Sequence, residues 1–205
     1  MAVGTNYWMF AETEENCATT RELGFTLFGM SGKYKKRAQR MQPNDRVIFY
    51  VRQKMCWIAS ATVVSKSYVD EELIWGDEST SKEYRHRVKL KPDHILKPEE
   101  FIDGLVIGPS LEYVKRWSPE YWPLAFWEKL HLLPQTDFRL LENEIIRKKT
   151  GKPGGKLPKF KQTNKKNNGF RPNSRRRGTT ASVGQNTDSQ AAPLIKSDTD
   201  PEEHL

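Results

Sequence analysis

Flat rings and fixed positive charges are the chemistry this chain carries. It has six tryptophans, seven tyrosines and nine phenylalanines, and only Phe160 and Phe170 fall after Ile145. Exposed rings stack nucleobases, at about 1–3 kcal/mol per base. A methylated or positively polarised base gains further from an aromatic cage. Phe49, Phe126, Phe138 and Trp127 lie in apolar periodic segments and read as core. Trp57 follows a polar hairpin turn, Trp75 sits in a polar loop, and Trp117 and Trp122 flank Ser118-Pro119. Those four are candidate stacking rings; the alternative for each is a side chain folded back onto a satellite core. Residues 32–41 bring Lys33, Lys35, Lys36, Arg37 and Arg40 close together. On a short helix they form a basic face for flanking phosphates, or else a solvated face.

The arrangements that do catalysis are missing from the sequence pattern. His86, His94, His131 and His204 form no His-Glu-x-x-His, and no Cys-x-x-Cys set accompanies them, so neither a metal nor a cofactor is expected. No Gly-x-Ser-x-Gly elbow occurs. Gly151-Lys-Pro-Gly-Gly-Lys156 misses the Walker spacing and its Ser/Thr, and reads as linker. The pairs Glu71-Glu72, Glu99-Glu100 and Glu202-Glu203 are adjacent, and adjacent residues diverge on a regular element. A non-enzymatic protein is the expectation. Two cysteines, Cys17 and Cys56, make no disulfide framework and point to a reducing cytoplasm. No apolar run reaches the length of a membrane span, and the segment Met1–Asn6 shows no leader.

Charge and hydrophobicity divide the chain. Its net charge is +8, yet residues 1–145 carry 20 basic and 21 acidic side chains. Residues 146–205 carry 14 basic and 5 acidic. Hydrophobic residues number 63 of the first 145 and 11 of the last 60. A folded domain over 1–147 and a disordered tail over 148–205 follow, because the tail has too little apolar surface to offset its ordering entropy. The tail is basic to about residue 177 and mildly acidic beyond it. Such a stretch binds phosphate backbones without sequence preference, in a salt-dependent way.

The elements that must position the rings are mixed. Strands are expected over 5–11, 24–29, 46–51, 55–64, 84–90 and 130–133, and helices over 14–23, 32–41 and 136–148. Short helical turns are expected over 98–101 and 110–117, with Ser118 capping another at Pro119. Residues 67–80 read as a polar loop. Alternation over 84–90 turns Val88 and Leu90 one way and Arg87 and Lys89 the other. The class is α/β in the α+β sense, with a curved, mostly β sheet of about 5–6 strands.

Three blocks carry a family resemblance. They are Tyr7-Trp8-Met9-Phe10, then Lys36-Arg37-Ala38…Met41-x-Pro-Asn44-Asp45-Arg46-Val-Ile-Phe-Tyr50, then Ala59-x-Ala-x-Val63-Val64…Tyr68-x-Asp70 with Tyr84-x-x-Arg87-Val88. In order and spacing they resemble the EVE domain, a member of the PUA-like superfamily related to YTH domains. Asn44 stands where that family has glycine, and asparagine tolerates the left-handed turn. Where some members carry Trp-x-Gly-x-Arg-Asn, this chain has Phe28-Gly29-Met30-Ser31-Gly32. The resemblance implies a PUA-like pseudo-barrel that takes a modified or flipped base from DNA or RNA into an aromatic pocket, with no chemistry done on it. By motif position Trp8, Met30, Ser31 and Lys33 line one wall. Trp57, Tyr68 and Trp75 are placed on another, and Trp117 acts as a lid. Lys33, Lys35, Lys36, Arg37 and Arg40 then hold phosphates. General RNA binding without a preference for modification, or a small-molecule sensor or enzyme using the same pocket, are the other uses of such a chain. No membrane partner is expected.

Overall fold

The computed structural model describes residues 5–76 and 84–151. Nearly all of the expected tail falls outside the described residues.

Strand β1 (Tyr7–Glu12) and strand β3 (Arg46–Val51) are apolar almost throughout, as strands buried on both faces are. They pair in parallel, with Phe10 beside Phe49. Alternation sends Trp8, Phe10, Val47, Phe49 and Val51 into one core and Met9, Ala11, Ile48 and Tyr50 into a second. Strand β4 (Cys56–Val63) returns antiparallel to β3 across a tight turn in which Met55 takes a positive φ of 46°. Asn44, at φ 76°, makes the turn where the resembling family has glycine.

Strand β6 (His86–Ile95) serves two partners. Its first half pairs with β2 (Leu27–Met30) and with the short β5 (Tyr68–Val69). Its second half pairs with β4, where the register slips between Ser60 and Ala61. Such an irregularity bends a strand and curls the sheet. Among the described residues the order is β2-β6-β4-β3-β1-β8, with β7 (Ile102–Asp103) on β4 and β8 (Leu130–Leu132) on β1. Helix α1 (Glu14–Glu22) is capped by the Thr13 side chain, which accepts from the Asn16 amide. Helix α2 (Lys35–Ala38) follows a 3-10 turn, Gly32–Tyr34. Helix α3 spans Gly104–Ile107. Helix α4 (Gln135–Thr150) puts Phe138, Leu141 and Ile145 into the second core and ends at Gly151, φ 67°. No described helix is long and apolar enough to cross a membrane.

Several expectations need correction. The strand after α1 starts at Leu27, because Gly24 and Phe25 both take positive φ to reverse the chain. The basic segment is helical only to Ala38, after which the fully buried Met41 ties the chain to the core. The β6 strand runs on to Ile95, and the loop over 67–80 contributes β5. Ser118-Pro119 makes a turn, with Tyr121 N donating to Ser118 O at 2.9 Å, and the helical piece is the 3-10 turn Trp122–Phe126. Trp57 and Trp122 are buried in the second core, whereas Trp127, expected inside, is 70% exposed. Arg87 does not point to solvent: it is buried and paired with Asp70 at 2.9 Å.

Candidate nucleic-acid interface

At one rim of the curled sheet, β2, α1, the segment around Trp75 and the residues before β8 converge on a closed cluster of rings, the mouth of the candidate site. Trp75 is fully buried there, and a Cβ at Gly29 would come within 2.5 Å of its ring, so only glycine lets the indole lie this close to β2. The Trp75 Nε1–H donates to Thr20 Oγ1 at 3.0 Å, and that hydroxyl donates to Glu12 Oε1 at 3.1 Å. The Arg87 guanidinium lies 5.6 Å from the indole. Tyr84 is 6.3 Å from Trp75, and its hydroxyl accepts from Asn16 Nδ2 at 3.0 Å.

Lys129 covers these rings. Its ammonium lies 4.0 Å from the Tyr84 ring centroid and 5.1 Å from that of Phe28, which stacks on Phe10 at 3.8 Å. The backbone that carries Lys129 is pinned from every side. Its N–H donates to the Tyr34 hydroxyl at 3.0 Å, and its carbonyl accepts from Ala11 at 2.9 Å. Arg52 holds the Trp127 carbonyl and Arg37 the Leu130 carbonyl, each at 2.8 Å. Beneath the cation, burial pushes the Glu12 carboxyl up to about 7, opposed by the charge of Lys129, the Thr20 hydroxyl and Arg52. Glu12 Oε2 has no hydrogen-bond partner among the described residues.

The expected phosphate-binding side chains divide into two groups. Lys33 pairs with Glu128 at 2.8 Å, and Glu128 also accepts from the Tyr34 hydroxyl. Those two hydrogen bonds hold the Glu128 carboxyl below its usual range. Arg37 is engaged with Leu130 as above. Lys35, Lys36 and Arg40 are exposed and form no ion pair among the described residues.

Of the expected pocket residues, Trp75 lies in this ring cluster and Lys33 reaches Glu128, the neighbour of Lys129, while Met30 and Ser31 only follow Phe28 and Gly29 along the chain. Met30 is buried opposite His86, and Ser31 leads into the basic turn, its carbonyl accepting from Tyr34. Tyr68 lies opposite Arg87 in the β5–β6 register, with the Lys89 ammonium 5.9 Å over its ring. Trp8 is buried, donates to Asp45 Oδ2 at 2.9 Å, and lines a separate cleft with Arg37 and Arg40. Trp57 is on the other face of the sheet, its Nε1–H on Met9 Sδ at 3.3 Å. Trp117 borders a groove that shares no residue with the mouth. Sequence reasoning missed Phe28, Tyr84, Lys129 and Glu12 as mouth residues. Tyr84 carried a signal through its place in the third block; Lys129 carried none.

The buried cysteines and His131 are held neutral at pH 7. Cys17 and Cys56 are free and buried, with burial pushing their thiols up to about 12 and about 11, so neither is a thiolate at neutral pH. Among the described residues no group of three or more His, Cys, Asp or Glu could hold a metal ion. His131 is buried, and that burial brings it down to about 4. Its Nε2 faces the Glu128 carbonyl at 2.6 Å, which can only accept, so Nδ1 accepts from the Tyr113 hydroxyl at 3.0 Å.

A family model for the EVE domain matches residues 6–118. The UPF0310 protein PH1033 of Pyrococcus horikoshii is 28% identical over 152 residues, which are 68% of this chain and 99% of that protein. Among solved structures, the YTH domain-containing protein mmi1 in complex with RNA superposes with a TM-score of 0.53 at 16% identity. That alignment covers 72% of this chain and 87% of the other. A second structure, of the Mmi1 YTH domain complex with RNA, gives a TM-score of 0.50 at 16% identity over 73% and 83%. The curled sheet with short helices is therefore a YTH-type, PUA-like fold.

Proposed function

This chain belongs to the EVE domain family, and from that premise we propose that it is a non-enzymatic nucleic-acid reader whose mouth takes an unpaired or flipped base. One observation carries this: the rings of Tyr84 and Phe28 hold the Lys129 ammonium at 4.0 and 5.1 Å. Rings that hold a cation face-on present their π faces to whatever replaces it. A methylated base offers those faces a larger and more polarisable surface to stack on. The displaced ammonium has the Glu12 carboxylate close by, with Oε2 unengaged among the described residues. Lys35 and Lys36, exposed on α2 just after Lys33, meet flanking phosphates, while the basic stretch to about residue 177 adds salt-dependent affinity. Flipping a base costs a few kcal/mol, least when it is already unpaired. Single strands are therefore the favoured substrate, and the RNA named with the mmi1 structures supports RNA first.

The test is binding of the full-length protein to matched single-stranded RNA and DNA. The strands carry N6-methyladenine, 5-methylcytosine, 5-hydroxymethylcytosine or no modification, each at two salt concentrations. One modified strand should bind about tenfold better than its unmodified match at both salts, while all affinities fall together as salt rises. A second use of the same surface has one fact in its favour, namely that Lys129 already covers the rings of the mouth. It is general single-strand RNA binding along Lys35, Lys36 and Arg40, and equal affinity across the panel selects it.

A further inference from the structure

The far end of β8 carries a second ring-and-cation surface. A cleft of about 200 Å³ is lined by Trp8, Arg37, Arg40, Tyr113 and Leu132. A groove of about 530 Å³ is lined by Tyr113, Arg116, Trp117, Leu132 and Pro134. Tyr113 and Leu132 belong to both, so the two run into one another.

The floor of this surface is rigid. Tyr113 stacks on Phe126 at 5.8 Å and 24°, and its hydroxyl is held by His131. The Asp137 carboxylate accepts from the backbone N–H groups of Glu112 at 2.9 Å and Tyr113 at 2.8 Å, which fixes the 3-10 turn Glu112–Val114. Trp117 N then donates to Val114 O at 2.8 Å. The walls, by contrast, are open. Trp117 is 43% exposed and Leu132 is 45% exposed. Arg116 and Arg40 have no ion pair among the described residues. Glu112, the acidic side chain in the groove wall, accepts from the Thr136 hydroxyl at 3.1 Å. An open indole on an apolar, rigid floor, with guanidinium groups at both ends, matches a flat base bearing phosphates.

We propose that this groove is a second nucleotide subsite, which stacks another unpaired base of the same single strand on Trp117 and meets its phosphates with Arg116, Arg37 and Arg40. The proposal rests on the nucleic-acid reading above. Lys129 precedes β8 and Leu132 ends it, three residues on, so the backbone under the two sites spans about 10 Å at roughly 3.3 Å per residue. A strand of a few nucleotides reaches both.

The experiment is a length series: single-stranded RNAs from a dinucleotide to an octanucleotide, titrated against the full-length protein by fluorescence polarisation. Wild type should gain about tenfold in affinity in one step, once the strand reaches both subsites. Trp117→Ala should lose that step, Trp117→Phe should keep most of it, and Arg116→Ala should reduce the salt slope for the longer strands by about one. Tyr84→Ala, in the mouth, should weaken all lengths and leave the step. A step of wild-type size in Trp117→Ala overturns the second subsite and leaves the mouth reading standing. If wild type binds no RNA of any length, both fall.

Discussion

Mouth and groove use the same residue types in opposite states. In the mouth, Trp75 and Phe28 are wholly buried, every polar contact of Trp75, Thr20 and Tyr84 is internal, and a lysine of the chain occupies the face of the rings. In the groove, Trp117 stands in solvent and the guanidinium groups of Arg116 and Arg40 are unpaired among the described residues. Only the floor beneath is locked. The difference teaches that an aromatic ring contributes to recognition through what covers it. On the proposed reading a filled cage selects, because a ligand has to displace the resident cation. On the same reading an open indole adds affinity to any base that reaches it.

Substitutions that separate the two regions sharpen the contrast, and the largest effect belongs to Trp75. Trp75→Ala empties a buried indole site and strands Thr20, and should cost about 3–5 kcal/mol in urea unfolding. Trp117→Ala should stay within about 0.5 kcal/mol of wild type. Equal losses at the two positions would remove the distinction between a built cage and an open wall.

The two regions also carry opposite pH signatures. Glu12 titrates near 7 when folded, against 4.5 for the free side chain. The folded state therefore holds its proton longer, so this stabilisation is full below pH 4.5 and is lost as pH rises through 7. His131 titrates near 4 against 6.5, so its contribution is full above pH 6.5 and is lost as pH falls through 4. Each is worth up to about 3 kcal/mol, and between pH 4.5 and 6.5 they oppose one another. Wild-type stability should accordingly vary little across that window. Glu12→Gln should unmask a rise with pH, and His131→Gln a fall. Parallel curves for the two variants would contradict the pairing.

Below these lies Asp137→Asn, which weakens the two backbone hydrogen bonds under the groove. It should cost about 1–2 kcal/mol, and RNA affinity should fall for long strands before short ones. The smallest effect is at Lys36. Lys36→Ala should leave stability as it is and reduce the slope of log affinity against log salt by about one.

Much of the scaffold was legible from the chain. Strands β1 and β3 showed as near-continuous apolar runs, and Asn44 marked its own turn. Stripe-forming Phe138, Leu141 and Ile145 announced α4. The site was legible in part, and the misses have physical causes. Trp57 adjoins a polar turn, yet β4 is buried on both faces, so alternation gave it a core partner either way. Arg87 alternates with buried Val88 as if exposed. What brings it inside is Asp70, seventeen residues earlier and delivered by the β5–β6 pairing. Lys129 has no local signature at all, because its place over Tyr84 and Phe28 depends on three distant segments closing at one rim. The tail could be read only from composition; α4 runs on to Thr150, past the expected boundary at 147, and the rest of the tail after Gly151 lies outside the described residues.

The most direct test is a titration of the nitrogen-labelled full-length protein with a short single-stranded RNA carrying N6-methyladenine, followed at the assigned indole N–H signals. The Trp75 signal should shift at saturation together with the amide of Lys129, and the Trp117 signal should follow only with longer strands. Trp57 and Trp122, in the second core, should stay in place. Movement of the Lys35 and Lys36 amides with the Trp75 and Lys129 signals unmoved would contradict a base-reading mouth.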